Sequence, residues 1–535
     1  MRVSVAARFR ATWPRSSRNG LPIALPFSNR LALGAALLAC ASLWPSPAPA
    51  ETAAVVPAPS GEAGAADDVR RRAAELDAML ANDPSLRGAH AGVVAVETAS
   101  GKLLYARNAD DEFQPASTLK LVVGSAALER LGSDYRFHTL LEATRSDASG
   151  GEAVLLRGGG DPFLARDDLN AAAGAVAAAG GTFGAVYVDD SHFDRVPYAA
   201  GWTWDDFAYD YAARASAMTY EENVAHVTVL PGNAVGSPAT VRVDPPAEVR
   251  TPPNACGVAN AGANDVMPLA TTGSAGVPST VDVRLGRNGC LEVFGSIPLG
   301  GAAESVDAAV PDPLLYAQSA LVGSLKARGV PAGDPTPLAG IVDDEIRRNA
   351  TGGRVLWQHD SSPLATWLGP RFWIPSDNLV GELLLKELGF VTAGAPGSTG
   401  SGIAFETAWL QSIGVDPATI TLADGCGMSQ YDRITPRDLM LVLQHDWNGP
   451  NRQLVLDSLP IGGVRGTIEG IAGTPAAGRV YAKTGSMMHV RGLAGFLATR
   501  NHGTVTFAFN VDDWNGDYTS LAALRARVLS RIASD

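Results

Sequence analysis

Gln114-Pro115-Ala116-Ser117-Thr118-Leu119-Lys120 leads into the apolar run Leu121-Val122-Val123-Gly124-Ser125-Ala126-Ala127-Leu128, which stops at Gly132. Pro115 suits a first helical turn and Gly132 a helix stop, so the pattern predicts a helix over 115–131. Leu119, Val122, Val123, Ala126 and Ala127 give it a broad apolar face. Residues three apart on a helix share a face, which brings the Ser117 hydroxyl to the Lys120 amine. The positive end of the helix favours a developing alkoxide at Ser117, and the same field, with burial, disfavours a protonated lysine. A neutral amine beside a hydroxyl is a general base for a serine nucleophile. A first-turn serine followed by a surface lysine is also an ordinary helix start, so this pair decides nothing alone.

Two later segments change its meaning. Ser376-Asp377-Asn378 precedes Leu379-Val380-Gly381-Glu382-Leu383-Leu384-Leu385, a helical run that Ser376 or Asp377 is expected to cap. In a catalytic reading, Ser376 relays a proton to a leaving amine, Asn378 donates to a substrate amide carbonyl, and Asp377 lies with the substrate-binding groups. Lys483-Thr484-Gly485-Ser486 continues a strand begun by Arg479-Val480-Tyr481-Ala482. Alternation puts Lys483 and Gly485 on one face, and a glycine there lets another backbone approach. Lys483 can attract a carboxylate and Thr484 can hydrogen-bond it, although an edge-strand lysine also deters aggregation. In this order the three segments supply a nucleophile, a base, a proton relay and an anion anchor. That inventory suits acyl transfer from a peptide ending in a free carboxylate.

The chain has 535 residues, 46% hydrophobic and 18% charged, which is ample for a packed core and more than one domain. Six of the 42 basic residues, all arginine, fall in the first 50 positions with no acid, leaving 36 basic against 55 acidic residues beyond. So acidic a remainder argues against a nucleic-acid partner. Arg2 to Arg30 form a long basic region, Leu31 to Leu43 an apolar one, and Ala48-Pro49-Ala50 a small-residue cleavage site. Residues 1–50 therefore read as a signal peptide, and the mature chain as exported to the periplasm. The rival reading makes Leu37-Leu38-Ala39-Cys40 a lipoprotein box with Cys40 lipidated, the one expected tie to a membrane. No other stretch is apolar for long enough to span a bilayer.

Cys256 and Cys290 share one Gly-rich, strand-like region, and export permits a disulfide between them. Cys426 is left free, a small buried residue. The eight histidines are scattered without i, i+4 spacing and no C-x-x-C exists, so no protein-built metal site and no cofactor is expected. There is no G-x-S-x-G elbow and no Walker loop.

Residues 51–65, rich in Ala, Pro and Gly, read as a disordered linker, with a helix from Asp67 to Leu80. Ala91 to Glu97 and Leu103 to Tyr105 form a hairpin. From 145 to 309 Gly and Pro are frequent, and this block reads as inserted, mainly β domains. Helical pattern returns from Pro313 to Arg328 and after Asn378. Three strands (479–486, 492–499 and 504–510) and a helix from Leu521 to Ile532, with Arg525, Arg527 and Arg531 exposed, close the chain. Residues 66–144 and 310–535 then form one split α+β domain: an antiparallel sheet built from both ends of the chain, flanked by helices.

The sequence resembles the D-alanyl-D-alanine carboxypeptidase/endopeptidase family of class C low-molecular-mass penicillin-binding proteins over residues 66–535. Besides the three motifs, the resemblance rests on Gly158-Gly159-Gly160-Asp161-Pro162-Phe163-Leu164, Asp424-Gly425-Cys426-Gly427-Met428-Ser429 and Leu459-Pro460-Ile461-Gly462-Gly463-Val464-Arg465-Gly466-Thr467. The roughly 260 residues between the first two motifs also match, as they do not in classes lacking the insertion. The resemblance implies a split transpeptidase/β-lactamase-like domain carrying two inserted domains. It implies removal of terminal D-alanine from peptidoglycan stem peptides, cleavage of D-alanyl crosslinks, and β-lactam antibiotics as covalent inhibitors with a long-lived adduct. Carried over, Ser117 is the acylated nucleophile, Lys120 its base, Ser376 and Asn378 the second motif, and Lys483, Thr484 and Gly485 the carboxylate side. The N–H groups of Ser117 and Ser486 would form the oxyanion hole. The family usually has Ser at Cys426, Leu at Met428 and Thr at Ser486; a Cys426 close to the pocket would react with thiol reagents. Two other readings fit the motifs: a serine β-lactamase or esterase on the same scaffold, and a peptidoglycan-binding protein that has lost catalysis. The long insertion argues against the first, and intact Ser117, Lys120 and Lys483 against the second.

Overall fold

The computed structural model describes residues 60–534 apart from 146–151, 181–182, 245–265, 287–288, 334–352 and 395. Residues 1–50, read from the sequence as a signal peptide and including Cys40, lie outside the described residues, as does Cys256.

Two strands from the start of the chain, β1 (His90–Glu97) and β2 (Leu103–Arg107), join three from its end, β3 (Val480–Met487), β4 (Val490–Ala498) and β5 (Thr504–Asp512). They form one antiparallel sheet in the order β3-β4-β5-β1-β2. Both faces are covered, which is why these strands read as near-continuous apolar runs. Along β1, Val94 and Val96 point into one core while Val93 and Ala95 point into another, as the two-residue period demands. The first core is shared with α2 (Lys120–Leu131), α3 (Asn378–Ala393), α4 (Thr399–Ser412) and α5 (Pro436–Asn448). The second is closed by α1 (Ser60–Asn82) and α6 (Tyr518–Ala533). The split α+β domain inferred from the sequence is present.

Three details differ from expectation. Helix α1 starts at Ser60 rather than Asp67, taking in the last residues of the linker. A formed helix extends cheaply, and Ala63, Ala65 and Ala66 are the best extenders. The Ser117 segment is not the first turn of an α-helix: Ala116–Leu119 is a 3₁₀ turn, and α2 begins only at Lys120. Arg525 is buried, not exposed, with its guanidinium 5.2 Å from the Phe509 ring centre. Leu521, Leu524, Arg525, Val528, Leu529 and Ile532 fall on one helical face, so the period itself sends Arg525 inward. Burial lowers its pKa to about 10.

The inserted region is wider than 145–309 and less purely β. Strand His138–Arg145 pairs with Glu152–Arg157 on one side and with Arg354–Asp360 on the other. His138 lies opposite Asp360, so the chain enters and leaves the insertion side by side. Phe183–Asp189 adds in parallel to Glu152–Arg157 through the crossover helix Arg166–Ala179. Helix Pro313–Lys326 packs here too, sharing a core with Leu169, Val176 and Val186. Its periodicity announced a helix but not which core it faces, hence its earlier assignment to the split domain. Smaller sheets around Val227, Val241, Val266 and Val293 form a second inserted core. Cys290, in this part, is disulfide-bonded. Among the described residues, no helix is long and apolar enough to cross a membrane.

Phe507 of β5 is 1% exposed in the core closed by α1 and α6. Replacing it with alanine should cost about 3–5 kcal/mol of stability, measured by chemical denaturation.

Candidate active site

The Ser117 turn is held in a conformation that its own residues disfavour. Ala116 has φ 45°, in the left-handed region where a β-carbon is strained. The Thr118 hydroxyl donates to the Pro115 carbonyl at 2.7 Å and tightens the turn. Two glycines let neighbouring backbones press on it. A β-carbon on Gly485 of β3 would lie 2.5 Å from the Pro115 oxygen, and one on Gly427 would lie 1.9 Å from the Ala116 oxygen. The reason for the glycine of the third motif is therefore contact with the first motif, as expected of a strand glycine.

Lys120 is wholly buried. Its Nζ lies 2.8 Å from Ser117 Oγ, 2.6 Å from Asn378 Oδ1 and 2.8 Å from the carbonyl oxygen of Cys426. Asn378 Oδ1 and the carbonyl can only accept, so of the three partners only Ser117 has a proton to give. A neutral Lys120 donating to both acceptors turns its lone pair to the Ser117 hydroxyl. Burial lowers the lysine's pKa; Cys426, Asp424, Asp377 and Glu382 oppose that shift.

Ser376 also adopts a left-handed conformation, with φ 68°. Asp377 is the N-cap of α3, accepting from the Val380 N–H at 2.9 Å. One carboxyl oxygen is thus engaged by the helix end, the cap expected of Ser376 or Asp377, and Asp377 also lines a cavity with Ser376, Asn378 and Arg371. Burial raises its pKa to about 6. The Ser376 hydroxyl accepts from Lys483 Nζ at 2.8 Å, and Lys483 also donates to the Thr484 carbonyl at 2.9 Å. Lys483 is fully buried, and burial together with the charge of Lys120 holds its pKa well below the usual lysine range. An arriving carboxylate would supply the missing countercharge.

Ser117, Ser376, Thr484 and Ser486 line one cavity of about 420 Å³, together with Thr467, Gly470 and Tyr518. The Thr467 and Thr484 hydroxyls are 2.6 Å apart. Residues separated by more than 350 positions thus meet around one hydroxyl.

Asn378 Nδ2, the group expected to donate to a substrate carbonyl, here donates to the Tyr211 carbonyl of the inserted region at 2.7 Å and lies 3.0 Å from Met428 Sδ. Cys426 is buried with its thiol pKa raised well above the usual value by burial and by Asp424 and Glu382. A protonated, unexposed thiol is a poor target, which corrects the expectation of reactivity. Behind it, the Asp424 carboxylate accepts from the N–H groups of Cys426, Gly427 and Ser429 and from the Trp202 indole. Glu382 and Asp424 approach Cys426 closely, but both Asp424 oxygens are taken by N–H donors, leaving an anchor rather than a ligand set. Trp202, Tyr211, Asp424 and Tyr518 were not singled out from the sequence. Only Asp424 lay in a quoted motif.

The family model for "D-Ala-D-Ala carboxypeptidase 3 (S13) family" matches residues 72–528. The chain belongs to this family. It is 34% identical over 441 residues to a D-alanyl-D-alanine carboxypeptidase of Actinomadura sp. (strain R39), covering 79% of this chain and 78% of that one. It is 28% identical over 519 residues to carboxypeptidase DacB of Mycolicibacterium smegmatis, covering 93% of each. In fold it matches the crystal structure of penicillin binding protein 4 (dacB) from Haemophilus influenzae, with a TM-score of 0.72 at 21% identity over 86% of this chain and 99% of that one.

Gly427 has φ 85° as well as no room for a β-carbon. Gly427→Ala should displace the Ala116–Ser117 turn and cut acylation by a fluorescent penicillin at least tenfold while the far-ultraviolet spectrum is kept.

Proposed function

We propose that this chain is a serine-type D-Ala-D-Ala carboxypeptidase and DD-endopeptidase, acting on peptidoglycan stem peptides and crosslinks through an acyl-enzyme on Ser117. The observation that carries this reading is the 2.8 Å contact between Ser117 Oγ and a buried lysine whose other two partners can only accept. Neutral Lys120 takes the Ser117 proton as Oγ attacks the penultimate D-alanine carbonyl. The backbone N–H groups of Ser117 and Ser486 receive the oxyanion. Lys483 and Thr484 hold the terminal carboxylate, and Thr467 joins them through its hydroxyl contact with Thr484. Ser376, bonded to Lys483 and lining the same cavity as Ser117, relays to the leaving amine the proton that Lys120 took from Ser117, so that Lys120 returns to its neutral form and Ser376 keeps its hydroxyl. The C–N bond breaks, D-alanine or the crosslinked amine departs, and water then releases the acyl group from Ser117. A β-lactam enters by the same attack on its ring carbonyl and stays as a covalent adduct.

We read the mature protein as periplasmic, exported by the signal over residues 1–50, with lipidation of Cys40 as the alternative. The disulfide-bonded state of Cys290 supports an oxidising compartment, and Cys256 is the partner we assign.

Ser117→Ala should abolish covalent labelling by fluorescent penicillin without changing the melting temperature by more than about 2 °C. Labelling that persists in this variant refutes the nucleophile. A chromogenic cephalosporin should label the unaltered protein stoichiometrically; rapid turnover would instead make it a β-lactamase. Mass analysis of digested crosslinked muropeptides should show loss of D-alanine and opened crosslinks.

A further inference from the structure

Both acceptors that hold Lys120 are themselves held from behind by one short stretch of the inserted region. The Tyr211 carbonyl accepts from Asn378 Nδ2 at 2.7 Å while Asn378 Oδ1 accepts from Lys120. The Trp202 indole N–H donates to Asp424 Oδ2 at 2.9 Å. Asp424 in turn gathers the N–H groups of Cys426, Gly427 and Ser429 and so aims the Cys426 carbonyl at Lys120 Nζ. Two more bonds tie the same loop to the same stretch: Ser429 Oγ donates to the Ala200 carbonyl at 2.7 Å, and the Gln430 N–H to the Gly201 carbonyl at 3.1 Å.

We propose that residues 200–211 of the inserted region are a positioning element for the general base, with Trp202, acting through Asp424, as its principal positioning residue. The inference rests on the acyl-enzyme reading and gives the insertion a part in it: without this stretch, the two acceptors that orient the Lys120 lone pair would be free to move. Trp202 is not among the residues that line the nucleophile cavity; its indole N–H goes to Asp424 and its ring centre lies 5.9 Å from that of Tyr198, so the proposed effect runs through the Asp424–Cys426 loop.

The direction of the effect follows from the charges around Lys120. The Cys426 carbonyl accepts from it and the Asp424, Asp377 and Glu382 carboxyls face it, which favours its ammonium form, whereas like charge on Lys120 and Lys483 is mutually unfavourable. A Cys426 carbonyl that drifts away removes an acceptor of the ammonium, so the lysine deprotonates at lower pH. A misaimed lone pair also slows proton transfer.

The test measures acylation by fluorescent penicillin across pH on the full chain, with thermal melting as the check on folding. Trp202→Phe keeps an aromatic ring on this half-buried residue and removes only the N–H. It should lower the limiting acylation rate about tenfold, leave the half-saturating penicillin concentration unchanged, and move the acid limb of the profile to lower pH. Ser429→Ala cuts the second tie and should move the limb in the same direction; it decides the matter if Trp202→Phe does not fold. Trp204→Phe, at a neighbouring indole that is 70% exposed, should match the unaltered protein. Folded Trp202→Phe and Ser429→Ala proteins that keep the rate, or lose rate with the limb unmoved, overturn the proposal. An unaltered protein that is never labelled is the separate failure of the acyl-enzyme reading.

Discussion

A lysine with no exposed surface must satisfy its amine inside the protein, and Lys120 does so with Ser117 three positions before it and with two acceptors, Asn378 and the Cys426 carbonyl, more than 250 positions away. Taking an ammonium out of water is costly, and the neutral amine is the cheaper form to bury. The same burial that would penalise a structural lysine makes this one a base. Its placement governs much else. The Ser117 turn accepts a left-handed Ala116 to bring the hydroxyl within reach. Gly427 and Gly485 give up side chains so that two backbones can close on that turn. Asp377 caps α3, which fixes Asn378 at the helix start with its oxygen toward Lys120.

The sheet is the frame that makes this meeting possible. Strands β1 and β2 come from the start of the chain and β3 to β5 from the end, so closing the sheet sets Lys483 of β3 beside the Ser117 turn. The insertion leaves and rejoins the chain through adjacent strands, with His138 opposite Asp360. The excursion thus adds over two hundred residues without separating α2 from α3, which pack in one core. Tyr211 and Trp202 reach back from that excursion to the lysine's acceptors.

Local chemistry was legible in the sequence where it was written in spacing. The Ser117–Lys120 contact follows from three residues of separation, the face shared by Lys483 and Gly485 from alternation, and the helix cap from the Ser376-Asp377 pair. The five strands were visible as apolar runs with turn residues between them. What could not be read was partnership across distance. Nothing local says that the Asn378 amide is engaged by a carbonyl some 170 positions earlier, or that Trp202 reaches Asp424. Helix Pro313–Lys326 is apolar on most of its surface, so its period could not name the core it joins. Arg525 is the opposite case: the helical period placed it inward, and its charge alone suggested otherwise.

The most direct test of the central claim is the pH dependence of Ser117 acylation in the unaltered protein, followed by intact mass with the adduct mapped to its residue. A base lysine held below its ordinary 10.5 predicts an acid limb whose midpoint falls below that value, with all label on Ser117. A rate that keeps rising to about pH 10.4, the range of an unperturbed lysine, or an adduct on any other residue, would contradict the account.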